Sequence, residues 1–214
     1  MNDSISLGFV EETLPQTRPE RADAAANRAL ILTTAEALFA KKGVATVCMA
    51  EIAKAAGVGK GTLYRRFANK AELCLALMDT QMREFQDAML SRMRQMNNEG
   101  VPPLHQLDLF MDALVHFVAD HIPLLTEVEQ EEVLTDHFGD QRRPYFWQHM
   151  TITGLLRTAQ MQGTCAADVD VEYTADALLA PLNTHTFNLQ REARGFSLER
   201  MSSGLRRLIT GLHA

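Results

Sequence analysis

The chain has 214 residues, of which 46% are apolar and 22% charged, and a formal net charge of −6. That length suffices for a sizeable core, in one large domain or in a small one joined to a larger one. No basic-then-apolar leader opens the chain and no run approaches 18 consecutive apolar residues, so a cytoplasmic protein with no membrane partner is expected; Cys48, Cys74 and Cys165 are too few and too scattered for a disulfide framework or a metal knuckle.

Residues 1–22 are polar, hold Pro15 and Pro19 and lack periodicity, which predicts a disordered tail. In the following segment Leu30, Ile31, Thr34, Leu38 and Phe39 recur at helical spacing. Lys41, Lys42 and Gly43 then give it a basic last turn and a glycine stop. The stretches VCMAEIAKAAG and GKGTLYRRF predict two short helices around an Ala-Ala-Gly-Val turn, the pattern of a helix-turn-helix unit. Asn69 is placed to cap a long helix carrying Leu73, Leu77, Met78, Met82, Phe85 and Met89, which NNEGVPP ends. Further helices are expected over 104–121, 123–135, 142–162, 170–193 and 197–212, divided at His121-Ile122-Pro123, Gly139 to Pro144, Gly163 and Gly195. Nothing alternates long enough to be a strand, so the fold class is all-α.

Charge is divided unevenly along this order. Residues 41–70 carry Lys41, Lys42, Lys54, Lys60, Arg65, Arg66 and Lys70 against Glu51 alone, and every lysine of the chain lies there. From residue 81 onward acidic residues outnumber arginines. A basic module on an acidic body suits a polyanion partner for the module and solubility for the body.

Gly57, Gly59, Lys60, Gly61 and Thr62 crowd together as in a nucleotide loop, but Lys54 stands where the first glycine is required and Gly61 follows Lys60. The remaining phosphate is that of DNA. A helix-turn-helix places its second helix in the major groove; Gly57 supplies the turn, and Gly59 and Gly61 let backbone N–H groups approach a phosphate closely. Lys60, Thr62, Tyr64 and Arg65 are the side chains left to face DNA, while Ile52, Ala53, Ala56, Val58, Leu63 and Phe67 pack the unit.

At Gly43, Ile52-Ala53, Ala56-Gly57-Val58, Thr62-Leu63-Tyr64, Phe67 and Lys70 the sequence resembles the tetracycline-repressor (TetR) family of transcription regulators, over about residues 24–75. The resemblance implies a three-helix DNA-binding domain over 23–70 and a larger helical ligand-binding and dimerisation domain over 71–214. It implies a homodimer that binds a double-stranded DNA operator and is relieved as a repressor by a small-molecule effector, with no cofactor. Lys60, Thr62 and Arg65 are placed by it near base edges or phosphates, and Tyr64 and Lys70 on phosphates. Where family members carry Thr-Ser and then a polar residue before and within the second helix, this chain has Val47-Cys48 and Ala50. Thr46 is the alternative donor there.

In the acidic body, Phe110, Leu114 and Phe117 on one helix and Trp147, Met150 and Thr151 on another supply aromatic and deformable walls for an effector pocket, with His116 as a polar group. The expected dimer faces are Leu178, Leu182, His185 and Leu189 on one helix and Met201, Leu205 and Leu208 on the next. His116, Asp120 and His121 beside the acidic run from Glu127 to Glu132 lack a metal-binding spacing, and no nucleophile elbow or catalytic cysteine signature occurs. No enzyme is expected. Rival readings are a helical sensor or interaction protein that no longer binds DNA and, more remotely, a nucleotide-binding enzyme.

Overall fold

In a computed structural model of the chain, residues 18–132 and 142–213 are described. All of their regular elements are helical: α1 (Arg18–Lys42), α2 (Met49–Ala55), α3 (Lys60–Arg66), α4 (Lys70–Asn98), α5 (Pro103–Glu132), α6 (Arg142–Met161), α7 (Val171–Leu179), α8 (Thr184–Asn188) and α9 (Leu198–Thr210). A single β-bridge joins Cys165 to His213. The chain is all-α, as expected. Most of the expected tail, residues 1–17, lies outside the described residues, and α1 begins at Arg18, ahead of residue 23.

Two hydrophobic clusters organise the molecule. The first unites Ile31, Leu32, Ala35 and Phe39 of α1, Met49, Ile52 and Ala53 of α2, Leu63 of α3, and Phe67. Leu30, expected on the α1 stripe, is exposed, and Leu32 takes its place. The Arg28 guanidinium lies 5.6 Å from the centre of the Phe67 ring and covers it. The second and larger cluster joins Leu107, Phe110, Met111, Leu114 and Val115 of α5 to Ile152 and Leu156 of α6, Leu178 of α7, Phe187 of α8, and Met201, Leu205 and Ile209 of α9.

Asn69 starts α4 as expected, its side chain accepting from the Glu72 N–H at 2.8 Å while the Glu72 carboxylate accepts from Ala68 N–H at 2.5 Å. Two otherwise orphaned donors are thereby satisfied. Asn69→Ala is expected to cost about 1 kcal/mol of stability in denaturant titration.

Two expected boundaries are corrected. Pro123 does not end a helix; it sits inside the continuous α5. A proline there removes one ladder hydrogen bond, and burial on both sides offsets the loss: Val115 and Val118 in the larger cluster, Leu124 and Val128 in the first. Conversely, the single helix expected over 170–193 is divided into α7, a 3-10 turn at Ala180–Leu182, α8 and a π-helical turn at Leu189–Ala193. Pro181 stands in the first turn, and the Asn183 side chain accepts from Thr186 N–H to start α8 anew. α5 is also long and apolar enough to cross a membrane by length and composition alone. Leu107, Phe110, Met111, Leu114 and Val115, which make it so, lie in the larger cluster.

Candidate nucleic-acid interface and effector cluster

α2 and α3 meet at a turn where Gly57 has φ +66°, the left-handed region that favours glycine. Val58 N–H closes the turn onto Ala53 C=O at 3.0 Å. Across α3 the sequence alternates function. Leu63 and the following Phe67 are buried and anchor the helix, whereas Lys60, Gly61, Tyr64, Arg65 and Arg66 are exposed and Thr62 is half-buried. Arg65 reaches back to the Thr62 hydroxyl at 3.4 Å. No side chain caps the helix at Gly59, and nothing lies within 4 Å of where a side chain would begin at Gly61, so backbone can approach a ligand there. Six of the eight expected DNA-facing residues, Gly59, Lys60, Gly61, Thr62, Tyr64 and Arg65, therefore share one open surface.

The other two are placed differently. Thr46 is exposed, but its hydroxyl donates to Lys42 C=O at 2.6 Å at the end of α1. Lys70 is turned inward, its ammonium 3.0 Å from the Glu127 carboxylate of α5 with both side chains mostly covered. Lys42 is likewise paired, with Glu51 of α2. Cys48 precedes α2 without a side-chain cap bond, consistent with a thiol's weakness as a donor or acceptor.

In the body, four rings converge. Phe85 of α4 lies 4.6 Å from Phe117 of α5 and 6.2 Å from Trp147 of α6, and Phe110 lies 5.6 Å from Trp147, edge to face. His121 stacks on Phe117 at 4.0 Å and its Nδ1 donates to Phe117 C=O at 2.6 Å. Phe110, Leu114, Phe117 and Trp147 thus sit in or against one apolar cluster, while Thr151, half-buried one turn after Trp147, spends its hydroxyl on Trp147 C=O. Two expected pocket residues lie outside it. His116 is exposed and donates to Asp112 C=O, and Met150 is 50% exposed. Phe85, expected only on the periodic stripe of α4, and His121 join this ring cluster although neither was among the expected pocket residues. A separate groove of about 240 Å³, lined by Arg92, Met96, His105 and Leu109 among others, contains none of these rings. His149 faces α7, 3.2 Å from Asp176 and 3.7 Å from Glu172. Among the described residues no group of three His, Cys, Asp or Glu could hold a metal ion.

The expected dimer residues separate into two sets. Leu178, Leu182, Met201 and Leu205 are buried within the single chain, while His185, Leu189 and Leu208 are exposed. The correction has a simple cause: the apolar stripe of α9 lies against α5, where Arg206 also grips Asp108 through both carboxylate oxygens at 2.9 and 3.0 Å.

A three-helix basic module with an outward recognition helix, mounted on a helical body, defines a helix-turn-helix transcriptional regulator. Residues 31–77 match the model of the bacterial regulatory proteins of the tetR family. Those residues thus resemble the DNA-binding domain of that family. It is 28% identical over 179 residues to an HTH-type transcriptional regulator of Staphylococcus aureus (strain MRSA252), covering 84% of this chain and 90% of that one. Its fold is similar to that of a TetR-family transcriptional regulator from Pectobacterium atrosepticum, with a TM-score of 0.68 and 21% identity over 93% of this chain and 98% of the other. It is also similar to Thermus thermophilus FadR, a TetR-family transcriptional repressor in complex with lauroyl-CoA, with a TM-score of 0.61 and 22% identity over 86% and 93% of the two chains.

Proposed function

We propose that this transcriptional regulator is a homodimeric, sequence-specific repressor whose operator is released when a small apolar molecule enters the aromatic cluster of the body. The observation that carries the DNA assignment is the open face of α3, where Lys60, Thr62, Tyr64 and Arg65 project from a helix held by buried Leu63 and Phe67. The two hydrophobic clusters support a division into a DNA-reading domain over 23–70 and a ligand-binding and dimerisation domain over 71–214, with Leu73, Cys74 and Leu77 of α4 and Leu124 and Val128 of α5 packing onto the first. For the effector, the support is the ring cluster between α4, α5 and α6 together with the acyl ligand of the similar Thermus repressor. Phosphate contacts such as that of Lys60 release counterions, so binding falls steeply with salt.

The dimer surface follows from what the monomer leaves uncovered. Tyr173 and Ala177 of α7, His185 of α8, Leu189, and Gly204 and Leu208 of α9 are exposed. Two copies related by a two-fold axis would bury this strip against itself and set two recognition helices for paired half-sites. Leu208→Glu is expected to convert dimer to monomer in sedimentation velocity while monomer stability changes by no more than about 0.5 kcal/mol, the usual range for an exposed site. Unchanged association would displace the interface from α9.

The decisive experiment is fluorescence anisotropy of the purified protein with DNA from upstream of its own gene, at two salt concentrations, against an unrelated duplex. Tight, selective and salt-sensitive binding is expected. Binding to no duplex, including duplexes selected from random sequence, would favour a sensor that has lost its DNA site.

A further inference from the structure

The part of α5 beyond Pro123 is covalently part of the body but belongs, by packing, to the DNA-reading module. Before the proline, Leu114, Val115 and Val118 lie in the body's cluster; after it, Leu124 and Val128 lie in the same cluster as Ile52 and Leu63. The same helix also packs on the Val44–Thr46 turn that leads into α2. It also carries Glu127, whose carboxylate holds Lys70 at 3.0 Å, three residues after Phe67 ends the recognition helix. Both side chains are largely covered, Lys70 to 15% exposure and Glu127 to 24%. One turn along α4, Cys74 is fully buried, and burial, reinforced by the negative charge of Glu127, pushes its thiol up to about 12.

We infer that the arm of α5 after Pro123 is a latch, closed by the Lys70–Glu127 ion pair, that fixes the tilt of the recognition helix against the body and relays movement of the body to it. Pro123 lacks the N–H that would complete the helical ladder, so the helix bends there at lower cost than elsewhere. The aromatic cluster ends at His121, two residues before this point. Any rearrangement of the rings therefore acts at the root of the arm, and the ion pair carries it to the start of α4. Lys70 is on this account a positioning residue rather than a phosphate contact. With the latch open, each DNA-reading module samples many tilts, and holding two of them at half-site spacing costs additional ordering entropy on binding.

The test has a thiol readout, which is independent of the regulator reading above, and a DNA readout, which rests on it. In a Cys48→Ser background, Lys70→Gln and Glu127→Gln are compared for the rate of Cys74 alkylation by iodoacetamide at pH 8, followed by peptide mass spectrometry, with Cys165 as internal control. Electrostatics alone drives the two variants apart, since removing Glu127 eases ionisation of the thiol and removing Lys70 hinders it. An opened latch drives them together, both rising about ten-fold or more, because breaking a covered pair from either side leaves an uncompensated charge that favours the open form. Lys70→Arg and the exchange Lys70→Glu with Glu127→Lys should both return the rate towards the parent value. Opposite shifts in the two single variants, or no shift, would overturn the latch.

With Cys48 intact, the same two variants should each lose about five-fold or more in affinity for a DNA duplex selected by the parent protein, without change in salt slope. A loss confined to Lys70→Gln, with the slope reduced by about 0.9, would instead make Lys70 a phosphate contact and overturn the proposal. If the parent selects no duplex, the regulator reading fails while the thiol result still decides the latch.

Discussion

Phe110→Ala is expected to lower the unfolding free energy by about 3–5 kcal/mol, the range for emptying a buried phenylalanine site. The ring is 1% exposed, packs edge to face on Trp147 and sits among Leu107, Met111 and Leu114 of its own helix and Ile152 of α6. Both helices are held from behind by α4, α7 and α9, so the walls have little room to close over the gap, and the cavity term is retained. For a chain of this size the corresponding fall in Tm is roughly 6–20 °C, measured at one fixed protein concentration because association adds to apparent stability. Trp147 is the sole tryptophan, so its fluorescence reports this cluster directly while circular dichroism reports the whole chain. Met150→Ala, one turn further along α6 but half-exposed, should stay within about 0.5 kcal/mol. Equal losses in the two variants would mean that α6 is turned relative to the packing described.

That contrast also marks where the sequence was legible and where it was not. The DNA-reading module could be read almost residue by residue, because its logic is local: Gly57 must adopt positive φ, Asn69 must cap, and Leu63 and Phe67 must alternate with Tyr64 and Arg65 on a short helix. Sequence spacing alone carries each of those constraints. Lys70 was not legible, since its charge is answered by Glu127, far along the chain, and no periodicity relates the two. Helix α9 failed in another way. Leu205 and Leu208 are equally apolar and only three residues apart, yet one is buried against α5 and the other is open. An amphipathic stripe reports that a face is covered, not whether the same chain or a second copy covers it. Pro123 shows the converse, a strong local breaker overruled because the residues on either side of it are buried in two different clusters.

Arg65→Ala is expected to weaken operator binding by about 1–3 kcal/mol, roughly 5- to 150-fold, and to relax preference at one or two adjacent base pairs. Arg65 stands exposed on the outer face of α3, and its guanidinium lies 3.4 Å from the Thr62 hydroxyl, which holds it beside Thr62 on the face opposite Leu63. A side chain held in that way loses less freedom when it meets a base edge bidentately, which is the geometry a planar fork provides and a lysine does not. Lys60, exposed in the first turn of the same helix, is the control. Lys60→Gln should weaken selected and unrelated duplexes alike and reduce the salt slope by about 0.9, as befits one phosphate contact. Anisotropy titrations of both variants over a salt series, against the selected duplex and single-base variants of it, separate the two roles. If Arg65→Ala weakens every duplex equally, Arg65 grips the backbone, and base reading on α3 must fall to Thr62 and Tyr64. If neither variant alters affinity, DNA does not meet the face of α3 that Lys60 and Arg65 share, and the recognition assignment for these two residues falls.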